Sequence, residues 1–504
     1  MEEKQQMANG KLTALMDARL GSRVAEDEVD SLYQYFVETE QWRKLYAGDV
    51  DIVFGAKGSG KSALYSLLVS KKDLLRLGHR TVFLAAENPR GTPAFSDVVA
   101  NPPVSEEAFR GLWKLYFISL AAHYMRHHLQ ASKMGSTKAA VVITALVDNG
   151  LLPPGTNLLA RLKAVMEYLR KHAPIFEGAI VEPTTGIKLT GKITLSEPNA
   201  EQIKRGFVSV TDLLSQLDEA FKELNIKIWL VLDRLDVAFT DSPDLEGNAL
   251  RSLFRTYLDM LNLSNIDIKI FLRDDIWEKI VQGGFREASH ITRTMTIAWD
   301  SQSLLNLVVR RLIYNKSICN HFNVSSDDIL QDVRLQTEFF YRVFPMQVDI
   351  GLKQPRAFDW MASRTADGSK RTAPRELIHL VLEARDRQLK LYELGNSPPP
   401  DENLFSRAAI TEALPEVSKV RYEQTLCAEY PFLKPYLSKL EREKTQQTLA
   451  SLARLWKCPQ SKAQEVAEQL IASGFFERRG TKEKPLFWVP FLYRDGLKLV
   501  QGGA

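Results

Sequence analysis

Eight residues, Gly55-Ala56-Lys57-Gly58-Ser59-Gly60-Lys61-Ser62, set three glycines, two lysines and two serines in the spacing G-x-x-x-x-G-K-[ST]. Glycines in that spacing let successive backbone N–H groups curl around an anion, and a helix starting behind them adds its partial positive charge. The flanks supply that context. Asp51-Ile52-Val53-Phe54 reads as a short buried strand, and Ala63 to Val69 reads as a helix. The pattern predicts a bound nucleoside triphosphate. Gly55, Lys57, Gly58, Ser59, Gly60, Lys61 and Ser62 form its cradle, Lys61 reaches the β- and γ-phosphates, and the Ser62 hydroxyl ligates Mg²⁺.

A second constellation lies downstream. Trp229-Leu230-Val231-Leu232-Asp233 is an apolar strand ending in a carboxylate. Parallel strands gather ligands at their carboxyl ends, so Asp233 is expected to hold Mg²⁺, directly or through water. The residue after it is Arg234, and Asp236 is the nearest acid that could orient water or complete the metal's outer shell. An ion pair between Asp236 and Arg234 is the alternative. Leu272-Arg273-Asp274-Asp275 ends the next strand; Arg273 either senses the γ-phosphate or belongs to an Arg–Asp turn network. Arg375 follows Pro374 at a helix start, where it either reaches the nucleotide or is exposed. Arg286, Arg293, Arg310 and Arg311 are undifferentiated candidates for a finger into a neighbouring site.

The elements that must position these groups follow from hydrophobic periodicity. Strands are expected at 81–86, 227–232, 267–272 and 293–298, alternating with helices near 210–224 and 248–261. That alternation means a parallel sheet covered on both faces. Residues 1–25 read as a flexible or loosely helical leader, and 26–300 as the core, interrupted at about 102–206 by a helical insertion with a small hairpin around Ile180 to Leu195. Residues 301–396 read as a helical lid. Ser397-Pro398-Pro399-Pro400-Asp401 reads as a linker before a helical and winged-helix region at 402–504. The fold class expected is α/β, a P-loop NTPase parallel sheet with helical insertion, helical lid and C-terminal winged helix.

Together these residues resemble a P-loop ATPase of the additional-strand division, near the AAA+ and STAND groups. The loop Gly55–Ser62, the strand end Leu232-Asp233-Arg234-Leu235-Asp236 and Leu272-Arg273-Asp274 carry the resemblance. The order of core, lid and winged helix is similar to that of archaeal origin-recognition initiators. With Tyr35-Phe36-Val37-Glu38-Thr39 and Pro374-Arg375-Glu376-Leu377-Ile378, the chain looks like the bacterial stand-alone Sll1717-type ATPases. It departs from complete STAND sensors in lacking a Met-His-Asp latch and a long repeat array. The resemblance implies a slow ATPase switch that governs assembly with itself, a partner effector or DNA, in antiviral defence. A DNA-binding initiator or loader of genome maintenance, and a nucleotide-binding scaffold, are the alternatives.

In the C-terminal region, Leu449–Trp456 and Ser461–Ser473 read as two helices, with Ser461 as the second N-cap. A strand–wing–strand follows, its wing at Gly480–Lys484. Lys462, Arg478, Arg479, Lys482 and Lys484 are the candidate contacts to double-stranded DNA, diluted by Glu465, Glu468 and Glu483. A net charge of +4 over 504 residues is too small to name nucleic acid as a partner by itself. No apolar run reaches the roughly 18 residues of a membrane span, and Cys319, Cys427 and Cys458 lack metal-ligand spacing, which fits a reducing cytoplasm.

Overall fold

The computed structural model describes residues 2–24, 27–28, 31–70, 73–76, 79–87, 106–133, 135–154, 158–171, 193–195, 197–235, 243–481 and 483–503. The chain divides into two compact units. One holds residues 40–56 and 61–297; the other holds 1–39, 57–60 and 298–504.

The first unit is built on a six-stranded sheet. In chain order its strands are β1 (Ile52–Gly55), β2 (Asp73–Arg76), β3 (His79–Ala85), β6 (Ile226–Leu232), β7 (Ile266–Arg273) and β8 (Thr294–Thr296). A separate two-stranded piece joins β4 (Ile193–Thr194) to β5 (Val208–Ser209). The order across the large sheet is β2-β3-β6-β7-β1-β8; β2 runs antiparallel to β3 and every other pairing is parallel. Strand β7 therefore separates the strand before the glycine loop from the strand ending at Asp233.

Continuous apolar runs explain this arrangement. Ile228, Leu230, Val231, Leu232, Ile268, Ile270 and Phe271 are buried, as strands covered on both faces require. The 27-residue Glu106–Ser132 helix is pinned by polar tips as well as apolar packing. Trp113 Nε1 donates to the Ala249 carbonyl at 2.9 Å, and the Tyr116 hydroxyl donates to that of Ala86 at 2.8 Å. Ser209 caps the Val210–Glu223 helix by accepting from the Asp212 N–H at 2.9 Å. Of the hairpin expected near 180–195, Ile193–Thr194 lies among the described residues, where it pairs in parallel with Val208–Ser209. Its other segments, Ile180–Val181 and Ile187–Leu189, lie outside the described residues.

The second unit is mainly helical around one core that includes Leu15, Leu304, Phe340, Leu377, Leu414 and Tyr493. Within the stretch expected as a leader, Glu2–Asp17 is a helix whose Ala14 and Leu15 are buried, with Lys11 Nζ donating to the Pro399 carbonyl at 2.8 Å. The same unit holds 298–504, the proline-rich stretch included.

The C-terminal elements are β9 (Lys444–Thr448), the helices Leu449–Trp456 and Gln460–Ala472, β10 (Glu477–Gly480), β11 (Pro485–Trp488) and β12 (Val500–Gly503). Their sheet order is β10-β11-β9-β12, with β10 and β11 an antiparallel pair. Thr448 and Ser451 form a capping box on the first helix. The second begins one residue before Ser461, with Pro459 at its cap position, so Ser461 sits within the first turn. Proline's fixed φ suits that helix entry without a side-chain cap.

Candidate functional site

The glycine loop is shared between the units: Gly55, Ala56, Lys61 and Ser62 belong with the sheet, and Lys57–Gly60 with the helical unit. In the sheet unit, Gly55 ends β1 opposite Arg273 of β7. The Lys61–Ser70 helix follows, anchored by buried Leu64, Tyr65, Leu67 and Leu68. Lys61 Nζ donates to the carbonyls of Gly55 at 2.7 Å and Ala56 at 2.9 Å, so its charge is held against the loop it is expected to serve. Ser62 lies in the first turn of the same helix.

Asp233 follows β6 and is only 3% exposed. Arg234 turns the chain away in the left-handed region at φ +59°. Asp236 lies outside the described residues. Arg273 makes a two-pronged ion pair with Asp275, Nε to Oδ1 at 2.9 Å and the second nitrogen to Oδ2 at 2.8 Å. This is the turn network left open as an alternative for it. Arg293 is held by Asp51 (2.6 Å), and Arg311 by Glu28 (2.7 Å), so these two finger candidates have buried carboxylate partners.

One residue of interest escaped the sequence reading. Glu87, just past β3, is fully buried, and the Tyr65 hydroxyl donates to its carbonyl. Burial foremost, then the negative charges of Asp233 and Glu87, push the Tyr65 hydroxyl well above its usual range. The signal was present: Thr81-Val82-Phe83-Leu84-Ala85-Ala86-Glu87 has the same apolar-strand-then-carboxylate form as the run ending at Asp233. Its place at the head of Glu87-Asn88-Pro89-Arg90-Gly91, a turn by its composition, gives it the look of a turn residue.

Within the helical unit, the loop tip is closely held. Lys57 pairs with Glu429. The Ser59 carbonyl accepts from Trp299 Nε1 at 2.7 Å. Gly58 and Gly60 lie at φ +80° and +101°, which side chains with a Cβ rarely adopt. A Cβ on Gly58 would come within 3.2 Å of Arg375 Cβ and 3.4 Å of Glu376 Oε2. Arg375 thus stands beside the loop tip at the start of the Pro374–Glu393 helix. Buried Glu376 is in turn fixed by Arg421 at 2.8 Å.

The C-terminal cations sit among carboxylates. Lys462 pairs with Glu465 at 2.8 Å, Arg478 pairs with Glu468, and Arg479 grips Glu477 with two bonds of 3.0 Å. Arg479 also stacks 3.8 Å from the Trp488 ring. Lys484 ends the β10–β11 connection with its backbone N–H donating to the Thr481 hydroxyl at 3.2 Å, and Lys482 lies outside the described residues.

No protein-family model and no curated protein matches the chain. Among solved structures, it aligns with the Aeropyrum pernix ORC2 protein in its ADPNP–ADP complexes, at 11% identity and a TM-score of 0.38, over 93% of this chain and 92% of that one. The fold class rests instead on the strand order: α/β, with the parallel sheet of a P-loop NTPase and one strand between the loop strand and the Asp233 strand. Among the described residues no helix is long and apolar enough to cross a membrane.

Proposed function

We propose that this chain binds ATP with Mg²⁺ on the Gly55–Ser62 loop, hydrolyses it slowly, and works as a switch controlling assembly with a partner protein or further copies of itself. The observation that carries the reading is the sheet: β1, β7 and β6 run parallel, so the loop and Asp233 both follow the carboxyl ends of their strands. Lys61 would exchange two loop carbonyls for phosphate oxygens, and the left-handed glycines free the loop's N–H groups to turn inward.

The donor set suits Mg²⁺. Among the described residues no group of three or more His, Cys, Asp or Glu could hold a metal alone. Ser62 and Asp233 offer the one hydroxyl and one carboxylate with which Mg²⁺ is commonly held beside substrate phosphates. Bound there, the ion would neutralise charge on the β- and γ-phosphates.

The switch reading draws on the loop tip, where ATP would compete with Glu429 for Lys57. The finer likeness to Sll1717-type ATPases, and the defence setting it implies, rest on the resemblance alone. The domain scheme of core, lid and winged helix belongs to the same proposal. Protein gating is favoured over DNA gating because Lys462, Arg478 and Arg479 are each matched by a carboxylate.

ATP turnover by the purified chain and by Lys61→Ala, with and without double-stranded DNA, tests the proposal. Slow, Lys61-dependent turnover indifferent to DNA is expected. Stimulation by DNA would move the assignment to an initiator or loader, and bound but unhydrolysed ATP to a scaffold.

A further inference from the structure

Asp233 has a counterpart on the neighbouring strand. Strands β3 and β6 pair in parallel register from Arg80↔Ile226 to Ala85↔Val231, and the Ala86 N–H extends the ladder to the Val231 carbonyl at 2.8 Å. Two residues beyond the last pair, Glu87 and Asp233 follow the carboxyl ends of these adjacent strands. Both are buried, 0% and 3% exposed. Burying carboxylates in the interior is costly, so two of them just past the carboxyl ends of adjacent parallel strands, where ligands bind, call for a function.

The loop's own helix reaches this pair. Tyr65, three residues after Ser62, donates its hydroxyl to the Glu87 carbonyl, and it feels the charge of both carboxylates. Tyr116 clamps the preceding carbonyl, that of Ala86, at 2.8 Å. The backbone carbonyls of Ala86 and Glu87 are thereby each held by one phenol, that of Glu87 by the phosphate-loop helix.

We propose that Glu87 is the catalytic base of this ATPase, with Asp233 reserved for the metal. The inference rests on the reading that the loop binds ATP. The Glu87 carboxylate takes a proton from water as its oxygen forms a bond to the γ-phosphorus. The bond from that phosphorus to the β–γ bridging oxygen breaks, and its electron pair leaves with ADP. The proton then passes from Glu87 to the released phosphate. Two acids on neighbouring strand ends thus divide the work, which accounts for the acid-free position after Asp233.

The test is equilibrium binding of Mg·ATP and phosphate release for the full chain, Lys61→Ala, Glu87→Gln and Glu87→Asp. Glu87→Gln should bind ATP within about threefold of wild type and release phosphate at least about 100-fold more slowly. Its rate should also lose the fall toward low pH that protonation of Glu87 gives the wild type, which a purely structural role would leave in place. If Glu87→Gln turns over like wild type while Lys61→Ala is inactive, Glu87 is overturned and the ATPase reading stands. If wild type neither binds nor hydrolyses ATP, that reading fails and takes this inference with it. Should Glu87→Gln melt early, Glu87→Asp decides: slower release at unchanged ATP affinity supports the assignment, and wild-type release overturns it.

Discussion

Two lysines flank strand β1, Lys269 on the neighbouring β7 and Lys61 on the helix after the loop, and they are held in different ways. At its start, Lys269 is fully buried. Its ammonium donates to Asp51 Oδ1 at 2.6 Å and the Val50 carbonyl at 2.8 Å, and lies 4.1 Å over the Trp229 ring. Arg293 and Tyr257 complete the same carboxylate, at 2.6 and 3.0 Å. At its finish, Lys61 is partly exposed and donates to carbonyls of a glycine loop. A charge spent on a fixed, buried carboxylate belongs to the fold. One resting on loop carbonyls can be handed to a phosphate.

Removing Lys269 gives the largest expected effect. Lys269→Met leaves Asp51 buried without its main counter-charge, and such a loss typically costs about 3–5 kcal/mol. Urea unfolding of the two proteins measures it; a loss below about 1 kcal/mol would break the contrast between the two ends. Lys61→Ala should do the reverse. Phosphate release should fall at least about 100-fold, the scale for losing a donor to developing charge. The midpoint of unfolding should stay near that of wild type.

The same carboxylate sets a pH dependence. Burial, the largest single influence, pushes the Asp51 carboxyl up, but Lys269 and Arg293 together outweigh it and hold the group below its ordinary value. A carboxyl depressed in the fold gives stability that is fully present above its unfolded value, about 3.9, and is lost as pH falls through the depressed one. Acid unfolding should therefore weaken the wild type most steeply below about pH 4. Asp51→Asn, less stable at neutral pH, should show a flatter acid limb. An equally steep limb in that variant would assign the acid sensitivity elsewhere.

How much of this was legible in the sequence depends on how local the signal is. The loop and the β6 and β7 runs were readable because spacing and apolar runs are local properties. The Lys269–Asp51 pair was not, because a lysine inside Ile268-Lys269-Ile270 reads as the polar side of an alternating strand until β1 is laid beside β7. Glu87 matters only beside Asp233, and that adjacency comes from strand order. Nor was the place of Lys11 legible, since it is buried by bonding to carbonyls almost 400 residues away. The prolines at 398–400 were readable as a break, and they lie between the helices Pro374–Glu393 and Arg407–Val420.

The smallest expected effect sharpens the functional end of the comparison. Lys57 is paired with Glu429, with side-chain exposures of 31% and 14%, so solvent screens part of the attraction. If Lys57 is a phosphate contact, Glu429 competes with ATP for it. Glu429→Gln keeps the shape and removes the charge, and should tighten ATP binding by roughly two- to fivefold, the range that a pair worth up to about 1 kcal/mol allows. Isothermal titration with a slowly hydrolysed ATP analogue reads this directly, and Lys57→Ala in the same background should erase the gain. Unchanged affinity in Glu429→Gln would make the pair a structural tie like that of Lys269, and leave Lys61 as the loop's one exchangeable lysine.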